Sequence, residues 1–196
     1  QERVGRVGRF YEQAGKVTFM NPPDQFTADR LHLRIPRRDD APAIFAAWTQ
    51  DPEVTRYLTW RPHKSVDESY AILDLIAKLW RDGEAFTYII TLKGDNTPIG
   101  MLAIHPDGFK PSLGYVLARP HWGKGYMPEA ARTVTEWLLR QPDIYRVFAT
   151  CDVDNPASAK VMEKAGMKYE GLLRRYMVHP NVSEEPRDCL MYAATK

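Results

Sequence analysis

The sequence predicts an α/β protein whose mixed central sheet of six to seven strands is flanked by about four helices. Short runs rich in β-branched and aromatic residues alternate with amphipathic helical patterns. A Gly-Lys-Gly turn joins one predicted strand directly to a helix, and another strand precedes a short helix with clear start and stop signals. The 196 residues, of which 44% are hydrophobic, suffice for one domain with a full core.

The first part of the chain is predicted to hold one strand and three helical segments. In order, these are a strand at 31–35, a helix at 41–49, a helical turn at 51–57 and a longer helix. Ser65 and Glu68 have the spacing of a capping box, which predicts that the longer helix begins there. Helical spacing predicts that its apolar face consists of Ile72, Leu75, Ile76, Leu79 and Trp80.

Six further strands are predicted from β-rich runs bounded by turn residues. They lie at 86–92, 99–105, 112–117, 146–152, 168–178 and 188–194. No internal repeat, low-complexity stretch or linker divides this region, so we expect a single domain at 27–196. We expect residues 1–26 to be an N-terminal extension, non-native or disordered. Within it, residues 1–19 are either a non-native or misassigned leader ahead of a natural start at Met20, or a genuine helical or extended appendage.

The segment His121–Ala130 is the most informative part of the chain, because its glycine turn lies between a strand and a helix. Gly123 and Gly125 lack a Cβ, so each can take positive φ and let a ligand approach the backbone. The first amides of the next helix have no intrahelical partner, and the helix dipole attracts anions. The turn is therefore predicted to seat a phosphate group. Apolar residues recur at helical spacing in that helix: Met127, Ala130, Ala131, Val134, Trp137 and Leu138.

Two common phosphate-binding motifs do not match this turn. A Walker A loop needs Ser or Thr directly after a Gly-Lys pair, and Gly125 follows Lys124 here. The Rossmann fingerprint needs a third glycine, and the turn lies in the second half of the chain. An ordinary tight turn whose lysine faces solvent is the alternative interpretation.

A second constellation follows the strand at 146–152. Asn155 is suited to cap a short helix, Pro156 to occupy its first position, and Gly166 to end it in a left-handed conformation. The helix is predicted to bury one face, made of Ala157, Val161, Met162 and Ala165.

Three segments together resemble the GCN5-related N-acetyltransferases, in particular the RimJ/RimL type that acetylates ribosomal-protein N-termini. They read TADRLHLRIPRRDDAPAIFAAWTQDPEVTRYL, GYVLARPHWGKGYMPEA and NPASAKVMEKAGMKYEG, and the resemblance covers about 27–194. It implies the fold of that family, in which the sheet is splayed in the middle, here between strands 112–117 and 146–152. Acetyl-CoA is expected to fill that gap.

The resemblance also implies which residues bind acetyl-CoA. The pantetheine arm is expected to bond to exposed main chain like an added strand, at Val116, Leu117 and Ala118. The pyrophosphate is expected on the amides of Gly123, Lys124, Gly125, Tyr126 and Met127. Lys124 and Lys164 are candidates to assist the phosphates, with a solvated surface role as the alternative. Asn155 is expected to bond the pantetheine in addition to capping its helix.

The reaction implied is direct attack of a primary amine on the thioester, with the amine belonging to a protein N-terminus or a small molecule. Many relatives carry a catalytic Glu where this chain has Ser112, and a proton-donating Tyr where it has Met162. RimL-type members place a serine three residues after the asparagine, so Ser158 is the candidate acid, with a bond inside its own helix turn as the alternative. A longer acyl donor such as succinyl-CoA, or a non-catalytic CoA-binding module, stays open.

The general base is not assigned by the sequence. The helix dipole already explains Glu129 in the first turn of its helix. Glu170, His179 and Asp188 are candidates by chemistry alone, and an ordinary surface role is the favoured alternative for each. The loop containing Trp60, Arg61 and His63 occupies the region where relatives shape the acceptor site.

Composition limits the kinds of partner that we expect for this protein. A net charge of +2 with dispersed arginines does not favour nucleic-acid binding. Cys151 and Cys189 lack the spacing of metal ligands, so no metal is expected, and free buried thiols are favoured over a disulfide. No run is long and apolar enough for a membrane span, and a cytoplasmic location is expected. A homodimer stays open.

Overall fold

The computed structural model describes residues 21–196, which form one sheet of eight strands with five α-helices. The strands are β1 (Gln25–Thr27), β2 (Leu31–Arg34), β3 (Phe86–Leu92), β4 (Gly100–His105), β5 (Ser112–Leu117), β6 (Arg146–Asp152), β7 (Lys168–Met177) and β8 (Arg187–Thr195). The helices are α1 (Ala41–Ile44), α2 (Pro52–Thr55), α3 (Val66–Asp82), α4 (Tyr126–Arg140) and α5 (Pro156–Lys164). The predicted α/β class with a mixed sheet is confirmed.

The sheet is continuous but opens at its centre. Its strand order is β1-β2-β3-β4-β5-β6-β8-β7. All neighbours are antiparallel except β5 and β6, which run parallel. Those two strands share a single register pair, Ser112 with Phe148, whereas β4 and β5 pair over their whole lengths. The predicted splay between 112–117 and 146–152 is therefore present.

Two hydrophobic clusters hold the helices on the sheet. One joins α1 and α3 to β3, with Trp48, Ile44 and Ile89 fully buried. The other joins α4 and α5 to the strands, with Val134 and Leu138 fully buried. Burying each large aliphatic side chain contributes about 1.5–3 kcal/mol. The helix that follows the glycine turn is thus anchored, which fixes the direction of its N-terminus.

One strand was not predicted, so the sheet has one strand more than the upper expectation of seven. β1 spans three residues, too few to show a period-2 pattern, and it pairs with β2 while Phe26 packs into the core. Gln25 and Phe26 had been assigned to the N-terminal extension, and the structure places them in the sheet. Residues 1–20 of that extension lie outside the described residues.

The long helix α3 differs from its predicted details. Ser65 is the N-cap residue, but its side chain makes no capping bond. The carboxylate of Glu68 reaches one residue further back and accepts from the Lys64 amide at 3.0 Å, so the capping-box prediction is wrong. The buried face is also rotated, because Leu73 is buried and Leu75 is exposed.

The short helix α5 is capped as predicted, but its buried face differs. Asn155 Oδ1 accepts from the Ser158 amide at 3.2 Å, and Gly166 has φ 94°. Ala159 is buried, whereas Ala157 is exposed and lines a cavity next to the sheet. None of the helices within residues 21–196 combines the length and apolar character needed to cross a bilayer.

Candidate active site

The glycine turn presents a row of free amides at the N-terminus of α4. Gly123 and Gly125 take φ values of 74° and 78°, in the left-handed region that glycine favours. The Trp122 amide donates to the Arg119 carbonyl at 3.1 Å. The next five amides have no acceptor within residues 21–196; they belong to Gly123, Lys124, Gly125, Tyr126 and Met127. This arrangement fits a diphosphate.

An arginine from the β1–β2 hairpin fixes the shape of this turn. The Arg30 amide and Nε each donate to the Glu129 carboxylate at 2.7 Å, and Nη1 donates to the Lys124 carbonyl at 3.0 Å. The guanidinium also lies over the Tyr126 ring, 4.8 Å from its centroid. Glu129 is therefore engaged in holding the turn. Arg30 is separated from Glu129 by 99 positions, so no local sequence signal identified it.

Replacing Arg30 with alanine is expected to weaken CoA binding roughly tenfold. The variant loses charge-assisted hydrogen bonds, each contributing about 1.5–3 kcal/mol, and part of this free energy orders the turn. Isothermal titration calorimetry with CoA measures the change. Arg140→Ala is the matched control, because Arg140 lies at the far end of the same helix in an exposed pair with Glu136. An Arg30→Ala protein with the wild-type dissociation constant would contradict this role.

The gap between β5 and β6 opens beyond their single register pair, Ser112 with Phe148, next to which the Phe148 amide donates to the Pro111 carbonyl at 3.2 Å. Along a strand, the main-chain N–H and C=O groups of successive residues point to opposite sides. Val116 pairs with Met101 on β4, so its groups point to that side. By this alternation Tyr115 and Leu117 direct their main-chain groups toward the gap. A cavity of about 1070 Å³ fills the gap and continues to the loop before α3.

The expectation of exposed main chain at three successive residues is only partly met. The Ala118 amide donates to the Ile99 carbonyl at 2.8 Å and its carbonyl accepts from the His121 amide at 2.9 Å, so the expectation for Ala118 is wrong. The main-chain groups of Val116 are turned toward Met101 on β4, so the expectation for Val116 is wrong as well. The Leu117 carbonyl accepts from the Trp122 indole at 2.6 Å, which leaves the Leu117 amide facing the gap. Trp122 was not identified from the sequence as a partner of this strand.

Most of the predicted site residues lie around one cavity. Those that line it are Val116, Leu117, Gly123, Gly125, Tyr126, Met127, Asn155, Ser158 and Lys164. Lys124 is exposed, and neither it nor Ala118 lines the cavity. The Asn155 side chain caps α5 through its oxygen, and its amide nitrogen has no acceptor in the described part of the chain. That nitrogen is available to a ligand.

Ser158 is held from across the gap by a tyrosine. The Tyr115 hydroxyl lies 2.8 Å from Ser158 Oγ and 3.2 Å from the Ser158 carbonyl oxygen. Burial raises the pKa of Tyr115, so its phenol stays protonated and can donate. With Tyr115 donating to Oγ, the hydroxyl proton of Ser158 can go to a second acceptor, and the Cys151 sulfur is one such acceptor nearby. The sequence suggested only a strand aromatic at Tyr115.

The carboxylate and imidazole candidates for a base have structural partners. Glu170 forms an ion pair with Arg146, and Asp188 Oδ1 accepts from the Arg175 amide at 2.8 Å. His179 is buried, 3.8 Å from the Asp152 carboxylate. Glu170 and Asp188 are thus engaged in bonds to arginines, and the surface role expected for His179 is wrong, because this residue is buried.

The two cysteines are free and buried, in agreement with the sequence interpretation. Burial raises the pKa of Cys151 to about 11 and that of Cys189 to about 11. Since a thiolate is the reactive form of cysteine, neither thiol is suited to act as a nucleophile at neutral pH.

Comparisons with known proteins agree with this geometry. A family model described as an acetyltransferase (GNAT) domain matches residues 30–168. The uncharacterized N-acetyltransferase p20 of Bacillus licheniformis is 30% identical over 151 residues, covering 76% of this chain and 84% of that protein. A GNAT-family acetyltransferase structure from Bacillus anthracis has a TM-score of 0.75 at 25% identity, covering 87% of this chain and 98% of that chain.

A third comparison concerns a structure with bound cofactor. RimL, a ribosomal L7/L12 alpha-N-protein acetyltransferase in complex with coenzyme A, has a TM-score of 0.74 at 24% identity. The match covers 86% of this chain and 95% of that chain, and at this identity it supports the fold. Fold and relatives together define an acyl-CoA-dependent N-acetyltransferase. The chain belongs to the GNAT family of acetyltransferases.

Proposed function

We propose that this protein transfers the acetyl group of acetyl-CoA directly to a primary amine, with a protein N-terminal α-amino group as the favoured acceptor. The observation that carries the proposal is the row of free amides at Gly123–Met127, placed at the mouth of a gap between two diverging strands. A diphosphate seated there directs the pantetheine arm into the gap. The cavity in the gap is large enough for that arm and continues beyond it.

The residues around the gap supply the other parts of the reaction. When bound, acetyl-CoA supplies the thioester that carries the acetyl group. The Leu117 amide faces the gap and is suited to stabilise the oxyanion that develops on the thioester carbonyl. The Asn155 amide nitrogen is suited to bond the pantetheine. The Ser158 hydroxyl, held by Tyr115, is suited to protonate the departing thiolate.

An α-amino group is favoured as the acceptor for a chemical reason. Its reference pKa is about 8, against about 10.4 for lysine, so a larger fraction is neutral and nucleophilic at pH 7. The RimL neighbour is described as acting on the α-amino group of a ribosomal protein, which is consistent with this choice.

A turnover assay tests the proposal. Purified protein is incubated with acetyl-CoA and a panel of peptides that differ in their N-terminal residue, and released CoA thiol is measured together with the mass of each peptide. We expect a mass gain of one acetyl group on peptides with a free N-terminus and none on the same peptides with a blocked N-terminus. CoA binding without any turnover across peptides and small amines would contradict the proposal and favour a non-catalytic CoA-binding module.

Changing Ser158 to alanine is expected to lower kcat on the order of 100-fold and to leave CoA affinity nearly unchanged. The lost step is proton donation to the thiolate, and assistance of this kind contributes about 10² to 10⁴ in rate. Steady-state kinetics and calorimetry measure the two quantities. Ser65→Ala is the control, because the Ser65 side chain makes no capping bond and lies outside the cavity. An unaltered kcat in Ser158→Ala would remove Ser158 as a catalytic residue.

A further inference from the structure

We propose that His63 is the general base that removes the proton from the attacking amine, an inference that rests on the proposed function. His63 lies in the loop between α2 and α3 and lines the same cavity as Ser158. Its half-buried ring also packs against Trp60, with 5.2 Å between ring centroids.

A buried chain of hydroxyl groups orients the His63 ring. His63 Nδ1 lies 2.7 Å from Ser69 Oγ, which lies 3.1 Å from Thr49 Oγ1. Ser69 is fully buried and Thr49 nearly so. The His63 amide donates to the Thr49 carbonyl at 2.8 Å, which fixes the loop as well as the ring. A base held by a second group in this way is a recurring arrangement in enzymes.

The chain of hydroxyls also suits both protonation states of the ring. With Nδ1 donating to Ser69 Oγ and Ser69 donating to Thr49, the lone pair of neutral His63 resides on Nε2. Burial lowers the pKa of His63, opposed by the charge of Glu68 at the start of α3, so the ring is neutral at pH 7. After Nε2 takes a proton, Nδ1 keeps the same acceptor, so the ring need not turn.

The other histidines of the cavity lack this arrangement. His179 is buried against Asp152, and His121 lies beside the glycine turn, 6.1 Å from the Tyr126 ring. His105 lies opposite Ser112 on β4. Its ring makes no hydrogen bond to any of residues 21–196, so nothing there fixes its tautomer. His63 is therefore the best oriented base of this set.

The side chains of His63 and Ser158 account for the two protons that move during the transfer. The amine nitrogen bonds to the thioester carbonyl carbon and loses one proton to His63 Nε2. The carbon–sulfur bond breaks, and the departing thiolate takes the proton of Ser158 Oγ. His63 then releases its proton to water, and Ser158 regains one from water.

Imidazole rescue of His63→Ala tests the proposal. We expect kcat to fall on the order of 100-fold, the dissociation constant of CoA to stay unchanged, and added imidazole to restore part of kcat. His63→Gln, which keeps a polar side chain, is expected to lose kcat without rescue. His32→Gln is the matched control, because His32 is exposed on β2 and lies outside the cavity.

The outcomes separate this proposal from the proposed function. If the wild-type protein shows no turnover, the proposed function fails first. If the wild type is active and His63→Gln keeps its full kcat, the assignment of the base is overturned while the function stands. A loss in His63→Ala that imidazole does not restore also overturns the assignment, because it points to a role in packing.

Discussion

Replacing Gly125 with valine is expected to abolish CoA binding, a loss on the order of 100-fold or more in affinity. Gly125 has φ 78°, where a β-branched side chain costs about 1–3 kcal/mol of strain. Its Cβ would meet Arg30 Nη2 at 3.4 Å, at the centre of the contacts that hold the turn. Relaxing this strain moves the amides away from the diphosphate, and each charge-assisted bond lost costs about 1.5–3 kcal/mol.

A second glycine provides the matched control. Gly94 has φ 83° in the loop between β3 and β4, and a Cβ there would meet no atom within 4 Å. Gly94→Val therefore introduces a comparable backbone strain at a position outside the cavity. Calorimetry should show wild-type CoA affinity for Gly94→Val. Measurable wild-type affinity in Gly125→Val as well would show that the turn does not seat the diphosphate.

Removing Arg187 is expected to destabilise the protein by about 3–5 kcal/mol, because the fully buried Asp152 carboxylate loses its charge partner. Arg187 Nε and Nη2 donate to that carboxylate at 2.6 and 3.0 Å. This pair joins the end of β6 to the start of β8, at the border of the gap. Urea denaturation of Arg187→Met measures the change in the free energy of unfolding.

The pH dependence of that stability separates the charge from the packing. Burial alone would raise the pKa of Asp152, but its bonds to Arg187 and the Asp154 amide lower it overall. A folded pKa below the unfolded value means that the contribution is present above the unfolded pKa, about 3.9, and is lost as pH falls through the folded pKa. In Arg187→Met the Asp154 amide still bonds to the carboxylate, but the guanidinium no longer offsets burial, so the pKa of Asp152 rises and the variant should lose less stability than the wild type on acidification.

A double variant completes this test. Asp152→Asn combined with Arg187→Met removes both charges, and it should be less destabilised than Arg187→Met alone. A single variant Arg187→Met within 1 kcal/mol of the wild type, or one whose stability falls on acidification as in the wild type, would contradict the account of this pair.

Local patterns were sufficient for β3 and for the two strands that border the gap. The predicted bounds of 86–92, 112–117 and 146–152 coincide with β3, β5 and β6. Each of these strands is a run of β-favouring residues bounded by turn residues. The run by itself is therefore enough to predict the strand. β1 is too short for such a pattern. The face of α3 depends on how that helix is rotated against the sheet, which tertiary packing decides.

The residues of the candidate site also fall into two groups, those with a local sequence signal and those without one. Glycines before a helix and an N-capping asparagine are local signals, and both features are present in the structure. Arg30, Trp122 and Tyr115 were not identified, because their roles depend on contacts that the fold brings together. The Tyr115 hydroxyl reaches Ser158 across 43 positions, and neither residue alone indicates this bond. The hydroxyl chain behind His63 is likewise assembled from separate segments, because Thr49 follows α1 and Ser69 lies on α3.

A crystal structure of the protein with CoA tests the central claim most directly. We predict that the diphosphate oxygens accept hydrogen bonds from the amides of Gly123–Met127 at about 2.7–3.2 Å. The pantetheine arm should lie between β5 and β6, with its sulfur toward Ser158. A diphosphate bound elsewhere, with these amides making no contact to it, would contradict the account.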